Sequence, residues 1–273
     1  MKSKKVGGEI CLIMLKTNDY SGVETGELMI DKLISSLKDG LIVSCQAMKE
    51  EPLFGAEMMV SMALAAEEGG AVAIRANTPQ DIAAIKRKCK LPVIGLYKKH
   101  YPGSDVYITP TLREVQEIVE AGADMVAIDA TRMTRPDGIS LKEFVHSIRR
   151  HFPKKAIVAD ISTFEEGVEA MDLDVEIVST TMSGYTPYSL QQEKPDVELV
   201  SRLAALRRTP VLAEGRIWTP EQCIACLKAG AHAIVVGTAI TRPQEITRRF
   251  VNAIKNHLYI KYNYGDFLHI LKC

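Results

Sequence analysis

The sequence has no excess of either charge, because 34 lysines and arginines balance 34 aspartates and glutamates over 273 residues. Proteins that bind nucleic acid usually carry a general basic field, so we expect no nucleic-acid partner. No apolar run approaches the roughly 20 residues that span a bilayer, so we expect no membrane partner. The six cysteines are scattered along the chain, unlike the closely spaced cysteines of a disulfide framework.

The first residues lack the pattern of a secretion signal. Residues 1–5 are basic, but the apolar stretch that follows covers only residues 10–15, and Glu9 and Lys16 bracket it. An apolar segment of this length is shorter than the hydrophobic region of a signal peptide. We therefore expect a cytoplasmic protein.

Patterns of metal ligation are also missing. The six histidines show no H-E-x-x-H or other ligand spacing. Cys223 and Cys226 form a C-x-x-C pair, but Thr219 and Pro220 begin a predicted helix there. We interpret both cysteines as packing residues and expect no bound metal.

What the sequence does contain is a repeated strand–helix pattern. Eight short runs of mostly β-branched and apolar residues are typical of parallel strands that are buried on both faces. They cover residues 40–46, 71–75, 92–98, 125–129, 156–160, 176–180, 210–214 and 233–237. Helix signals separate them, so strict alternation predicts an α/β fold of the (β/α)₈ TIM barrel type. A doubly wound open sheet is the alternative, although no Gly-x-Gly-x-x-Gly follows the first strand.

Local signals place the helices between the strands. Thr78 and Thr219 are candidate N-caps followed by Pro79 and Pro220, and Thr163 begins a capping box. Glycines at residues 69–70, 122 and 230 precede three of the strands and fit the left-handed residue that ends a helix.

The pattern predicts one domain over residues 1–273, with the barrel at about 40–256. Residues 1–39 form an N-terminal extension, in which residues 24–38 are predicted to be a capping helix that closes the bottom of the barrel. The apolar face of this helix carries Met29, Ile30, Leu33, Ile34 and Leu37. Residues 257–273 form a C-terminal tail rich in aromatic residues, which we expect to be an extra element docked on the surface.

Polar side chains follow most of the strands, where the active site of such a barrel lies. They are Gln46, Arg75, Lys98, Asp129, Asp160, Thr180, Thr181 and Glu214. Lys98 ends the third strand and Glu214 the seventh, so the two lie opposite each other in a ring of eight. A desolvated lysine can act as a general base, although a salt bridge is an equally simple interpretation. Alternation leaves open whether Lys98 or Lys99 points inward.

The end of the eighth strand predicts a phosphate site, with ordinary helix capping beside a surface arginine as the alternative. Gly237 and Thr238 lead from the strand into a helix, whose N-terminus offers unpaired N–H groups, and Arg242 adds a cation. Gly215 on the neighbouring loop can add another N–H group. Barrels of this class commonly hold phosphate at these two loops.

Eight segments in order resemble the N-acetylmannosamine-6-phosphate 2-epimerase family from about residue 40 to about residue 254. They are GLIVSCQA (40–47), AIRA (73–76), GLYKK (95–99), VYITPT (106–111), ADIST (159–163), STTMSGYTPY (179–188), AEGRI (213–217) and AITRPQ (239–244). The resemblance implies a phosphate-binding barrel that interconverts N-acetylmannosamine 6-phosphate and N-acetylglucosamine 6-phosphate during the use of sialic acids. It further implies that no cofactor is needed and that the protein is a homodimer.

Position by position, the resemblance implies that Lys98 and Glu214 are catalytic and that Gln46, Arg75 and Asp160 contact the substrate. It assigns Arg242 to the phosphate. The expected reaction removes the C2 proton and proceeds through an enolate. Whether one base or two transfer the proton is left open, and so is the role of Glu214 in ring opening. The alternatives are a Schiff-base lysine lyase or aldolase acting on a sugar phosphate, and a non-catalytic sugar-phosphate sensor on the same barrel.

Overall fold

The computed structural model describes residues 26–270, with side chains described to residue 258. Eight strands form a closed parallel barrel in chain order, in which β8 pairs with β1. The strands are β1 (Leu41–Cys45), β2 (Ala73–Asn77), β3 (Val93–Leu96), β4 (Met125–Asp129), β5 (Ala156–Asp160), β6 (Ile177–Ser179), β7 (Val211–Glu214) and β8 (Ala233–Val236). The (β/α)₈ prediction is therefore confirmed, and the open-sheet alternative is wrong.

Helices alternate with the strands and cover the outside of the barrel. They are α1 (Gly26–Ser36), α2 (Ala56–Glu68), α3 (Pro79–Lys88), α4 (Leu112–Glu120), α5 (Leu141–His151), α6 (Phe164–Asp172), α7 (Val197–Ala205), α8 (Pro220–Lys228), α9 (Thr238–Thr241) and α10 (Pro243–Ile270). Two short 3-10 helices cover Pro136–Gly138 and Thr180–Met182. Within residues 26–270, no helix combines the length and apolarity needed to cross a bilayer.

The predicted helix signals are present. Thr78 caps α3 through a bond from the Asp81 N–H, and Thr163 and Thr219 form complete capping boxes on α6 and α8. The glycines at residues 70, 122 and 230 have φ values of 88°, 99° and 99°, a backbone region that side chains with a Cβ rarely adopt. These caps end each helix at the point where the chain must turn into the next strand.

Alternation along each strand divides the core into two layers. In β4, Met125 and Ala127 belong to a cluster inside the barrel, whereas Val126 and Ile128 pack outward against the helices. Residue Asp129 follows in the inward series, so the polar residue that ends the strand points to the barrel axis. The same period places Arg75, Asp160 and Glu214 in the inward series of β2, β5 and β7.

Helix α1 and the turn after it close the other end of the barrel. Leu37 is fully buried in the inner cluster, and Ile30, Leu33 and Ile34 pack against that cluster. Met29, which the sequence placed on the same face, is 58% exposed. Residue 29 lies too far round the helix to reach the barrel, so the buried face is narrower than predicted.

The ends of the chain fall partly outside the described residues. Residues 1–25, which include the basic residues 1–5 and the apolar residues 10–15, and residues 271–273 lie outside them. Residues 257–270 continue helix α10 rather than forming a separate element. The extent of a single domain over all 273 residues stays a prediction.

Truncation of Leu37 tests whether the turn after α1 closes the barrel. We expect Leu37→Ala to lower the free energy of unfolding by about 2–5 kcal/mol, because it removes a fully buried side chain from the inner cluster. Met29→Ala, on the exposed side of the same segment, should change it by no more than about 0.5 kcal/mol. Urea unfolding followed by circular dichroism measures both; equal effects would contradict this role of Leu37.

Candidate active site

A cavity of about 450 Å³ lies at the carboxyl ends of the strands. Eight of the nine predicted site residues line it, namely Gln46, Arg75, Lys98, Glu214, Gly215, Gly237, Thr238 and Arg242. The ninth, Asp160, is fully buried beneath the cavity, where it binds the guanidinium of Arg75. The fold thus brings residues that are far apart in the sequence to one end of the barrel.

The structure resolves which lysine faces inward. The backbone N–H of Lys98 donates to Asn77 Oδ1 (2.8 Å), and Lys98 pairs antiparallel with Ile108, which continues the inward series beyond β3. Lys99 points away, where its Nζ lies 3.2 Å from Glu114 Oε1. Only Lys98 therefore lines the cavity.

The environment of Lys98 favours the neutral amine. The pKa of Lys98 is lowered to about 8, first by burial and then by the positive charges of Arg75 and Arg242, whereas Glu214 and Asp160 oppose the shift. A lysine with this pKa is partly deprotonated near neutral pH. Such an amine can accept a proton from a bound molecule.

A buried ion pair fixes the floor of the cavity. Arg75 donates to Asp160 through Nη1 (3.1 Å) and Nη2 (2.5 Å), and both side chains are at most 1% exposed. Arg75 Nη1 also lies 3.4 Å from Glu214 Oε2. Two groups close to the cavity remain without a partner in the described part of the chain, Arg75 Nε and Gln46 Oε1.

Glu214 faces this pair at the end of β7. Burial raises the pKa of Glu214 above its ordinary value; Arg75 opposes the shift and Asp160 adds to it. Thr181 Oγ1 donates to Asp160 Oδ1 (2.6 Å) and lies 3.0 Å from Glu214 Oε2. A carboxyl with a raised pKa can hold a proton and donate it, so the cavity contains a candidate acid as well as a candidate base.

The predicted phosphate site has a partner that the sequence did not reveal. Gly237 leads into α9, which is only four residues long, and Arg242 lies between α9 and α10. Arg242 forms a bidentate ion pair with Glu51 on the loop after β1. Glu50 and Glu51 are adjacent acids on one loop, and the pattern gives no signal that separates them.

Other residues were missed or placed wrongly by the strand-end pattern. Tyr107, Arg216 and Trp218 also line the cavity, and each lies on a loop beyond a strand end. Asp129 ends β4 but does not line the cavity. Its Oδ1 instead accepts hydrogen bonds from the backbone N–H and the hydroxyl of Thr131. Within residues 26–270, no three His, Cys, Asp or Glu side chains are grouped as ligands for one ion.

A comparison with protein families assigns this barrel to one of them. The sequence model of NanE, described as "Putative N-acetylmannosamine-6-phosphate epimerase", matches residues 59–256. The chain belongs to the N-acetylmannosamine-6-phosphate epimerase family. The match spans the barrel from α2 into α10 and includes Arg75, Lys98, Asp160, Glu214 and Arg242.

Individual relatives of this chain carry the same family name. Two relatives share the name "Putative N-acetylmannosamine-6-phosphate 2-epimerase". That of Caldanaerobacter subterraneus subsp. tengcongensis is 56% identical over 227 residues, 83% of this chain and 96% of the relative. That of Clostridium perfringens strain 13 is 48% identical over 223 residues, 82% of this chain and 100% of the relative.

A solved structure matches the epimerase barrel described above. The N-acetylmannosamine-6-phosphate 2-epimerase from Clostridium perfringens superposes with a TM-score of 0.79 at 46% identity, covering 85% of this chain and 99% of that one. A thiamine phosphate pyrophosphorylase from Pyrococcus furiosus shares the fold alone, with a TM-score of 0.52 and 17% identity over 79% of this chain and 93% of that one.

The burial of the Arg75–Asp160 pair gives a stability prediction. Asp160→Asn should lower the free energy of unfolding by about 3 kcal/mol, because it leaves a buried guanidinium without its bidentate anion. The loss is at the lower end of the usual range since Glu214 lies 3.4 Å from the same guanidinium. Urea unfolding measures it.

The matched control is Asp172→Asn, which breaks the 2.6 Å pair between Asp172 and Arg208 on the surface. Exposed pairs contribute about 0–1 kcal/mol, so this variant should unfold close to the wild type. A similar loss of unfolding free energy in both variants would show that the buried pair contributes no more to stability than the surface pair.

Proposed function

We propose that this protein is an isomerase that inverts C2 of N-acetylmannosamine 6-phosphate to give N-acetylglucosamine 6-phosphate in amino-sugar and sialic acid catabolism. The observation that carries the proposal is the pairing of Lys98, with a lowered pKa, and Glu214, with a raised pKa, in one cavity of a barrel of the epimerase family. Named relatives with 46–56% identity over more than four-fifths of this chain support the same substrate.

The chemistry requires an acidic C2–H bond. The C2 proton of an N-acetylhexosamine becomes acidic only when C1 is an open-chain aldehyde. Neutral Lys98 accepts this proton, and the electrons of the C2–H bond form an enolate whose negative charge develops on the C1 oxygen. Return of a proton to the opposite face of C2 completes the inversion without any change in oxidation state.

Glu214 supplies the acid of this scheme. Its protonated carboxyl donates to the ring oxygen as the bond between C1 and that oxygen breaks, while the C1 hydroxyl releases its proton to water and becomes the aldehyde; alternatively it donates to the C1 oxygen as charge develops there. Arg75 Nη1, 3.4 Å from Glu214 Oε2, places a fixed positive charge at the same point. A positioned acid or base typically contributes about 10²–10⁴-fold, and the fixed charge stabilises the enolate further.

The remaining predicted residues bind and orient the sugar. Gln46 Oε1 is a buried acceptor without a partner in the described part of the chain, which suits an amide N–H or hydroxyl of the substrate. Asp160 holds Arg75, and Arg242 with the loops at Gly215, Gly237 and Thr238 takes the phosphate. Binding energy from the phosphate, remote from C2, fixes the orientation of the reacting carbon.

The proposal also covers the cofactor, the oligomeric state and the location of the enzyme. The mechanism uses side chains alone and calls for no cofactor. We infer a homodimer, which the exposed side chains of Phe250 (69%) and Ile254 (61%) on α10 support, and a location in the cytoplasm, where sugar phosphates are made and used. Light scattering in solution tests the dimer.

Isotope exchange tests the reaction and its base together. In D₂O, proton NMR of N-acetylmannosamine 6-phosphate with the enzyme should show the second epimer and loss of the C2 proton signal. Lys98→Met should lower the rate by at least about 10²-fold, because the base is gone. Lys99→Met, the neighbouring lysine that points away, should keep most of the rate.

Other outcomes have clear meanings. Borohydride trapping of substrate on Lys98 with cleavage of the sugar would establish the lyase alternative. Binding without conversion of either epimer would establish a sensor. Epimerisation without uptake of deuterium would contradict the proposal that Lys98 is a base whose proton exchanges with water.

The pKa values of Lys98 and Glu214 predict the pH dependence. Only the neutral amine accepts the proton and only the protonated carboxyl of Glu214 donates one, so kcat/KM should follow a bell-shaped profile in which Lys98 sets one limb near pH 8 and Glu214 sets the other. A further inflection near pH 6 belongs to the phosphate of the substrate. Rates measured from about pH 6 to about pH 11 check this; a Lys98 limb near its ordinary pKa of 10.5 would contradict desolvation of Lys98.

A further inference from the structure

The carboxylate of Glu51 holds Arg242 across the junction where β8 pairs with β1. Arg242 Nε lies 3.0 Å from Glu51 Oε1, and Arg242 Nη2 donates to Glu51 Oε2 (3.2 Å). Glu51 belongs to the loop between β1 and α2, whereas Arg242 follows β8. The two residues are 191 positions apart in the sequence and only 19% and 29% exposed, respectively. This is a partly desolvated, bidentate pair, which is stronger than an ordinary surface contact.

Glu51 is fixed by contacts that do not depend on Arg242. The backbone N–H of Met48 donates to Glu51 Oε2 (2.8 Å), and the N–H of Glu51 donates back to the carbonyl of Met48 (2.9 Å). Gln244 Nε2 donates to Glu51 Oε1 (3.3 Å). Each carboxylate oxygen therefore accepts one hydrogen bond that does not involve Arg242, and these bonds hold the anion in place.

The pair leaves one edge of the guanidinium free. Glu51 takes the edge formed by Nε and Nη2, and Nη1 has no acceptor in the part of the chain that the structure describes. The backbone beside Arg242 is fixed too, because Thr241 Oγ1 donates to the carbonyl of Ser44 (2.9 Å). Since Arg242 lines the cavity, the free edge remains available to an anion there.

We propose that Glu51 is a positioning residue for the phosphate group of the substrate, acting through Arg242. It fixes the guanidinium by one edge so that the other edge binds phosphate without a loss of side-chain entropy. The negative charge of Glu51 by itself repels phosphate, and the positioning effect outweighs this repulsion. The inference rests on the proposed function in taking phosphate as the anion at Arg242.

A double-mutant cycle separates positioning from repulsion. The four proteins are the wild type, Glu51→Gln, Arg242→Ala and the double variant, and the probe is inorganic phosphate, measured by calorimetry and as a competitive inhibitor. Glu51→Gln should weaken phosphate binding about 10-fold, the size of one charge-assisted hydrogen bond. In the Arg242→Ala background the same change should not weaken it.

Kinetics give the second readout. Glu51→Gln should raise KM for the sugar phosphate about 10-fold with kcat within about twofold, because the weakened phosphate contact is made equally in the ground state and the transition state. Glu50→Gln removes the same charge from the adjacent, exposed residue and should behave as the wild type. Thermal unfolding of each variant confirms that it is folded.

Three results would overturn the inference. They are unchanged or tighter phosphate binding in Glu51→Gln, equal weakening in both backgrounds of the cycle, and no competition by phosphate in the wild type. Failure of the proposed function is distinguishable, because it is seen as a wild-type protein that exchanges no deuterium at C2 while phosphate binding still depends on Glu51.

Discussion

The guanidinium of Arg75 is the charge on which the site depends. It is 1% exposed and keeps its proton at any physiological pH, so a carboxylate must neutralise it, and Asp160 does so with two hydrogen bonds. Lys98 and Glu214 both line the cavity beside this pair. Burial lowers the pKa of one and raises that of the other, so both shifts favour the free amine beside the carboxylic acid. The same desolvation therefore favours both the proposed base and the proposed acid.

The barrel makes this charge arrangement possible through strand alternation. Every second residue of a strand points to the axis, and the inward series changes from apolar to polar at one level near the carboxyl ends. Arg75, Asp160 and Glu214 lie at that level, and Lys98 continues the series two residues beyond Leu96. Below this level the apolar inner cluster excludes water, so the four charged groups all lie at the carboxyl end of the barrel.

The sequence predicted the barrel and most of the site because both follow from short-range periodicity. β4 and β5 have the predicted limits, 125–129 and 156–160, and the polar residue after each apolar run was a sufficient signal for Arg75 and Glu214. Alternation alone did not separate Lys98 from Lys99, since the inward series there is fixed by pairing with Ile108 on a loop. Glu51 was not predicted, because its pairing with Arg242 depends on closure of the barrel. The exposure of Met29 depends in the same way on how α1 lies across the barrel end.

The pairing of β8 with β1 has a consequence for how the protein must be made. During synthesis β1 leaves the ribosome about 190 residues before its second neighbour, and until then one edge of the growing sheet has unpaired N–H and C=O groups. The same delay applies to the bond between His232 and the carbonyl of Ile34, which attaches the end of α1 to the last strand. A chain interrupted before β8 would therefore leave one edge of β1 unpaired and would lack the bond that attaches α1 to the end of the barrel.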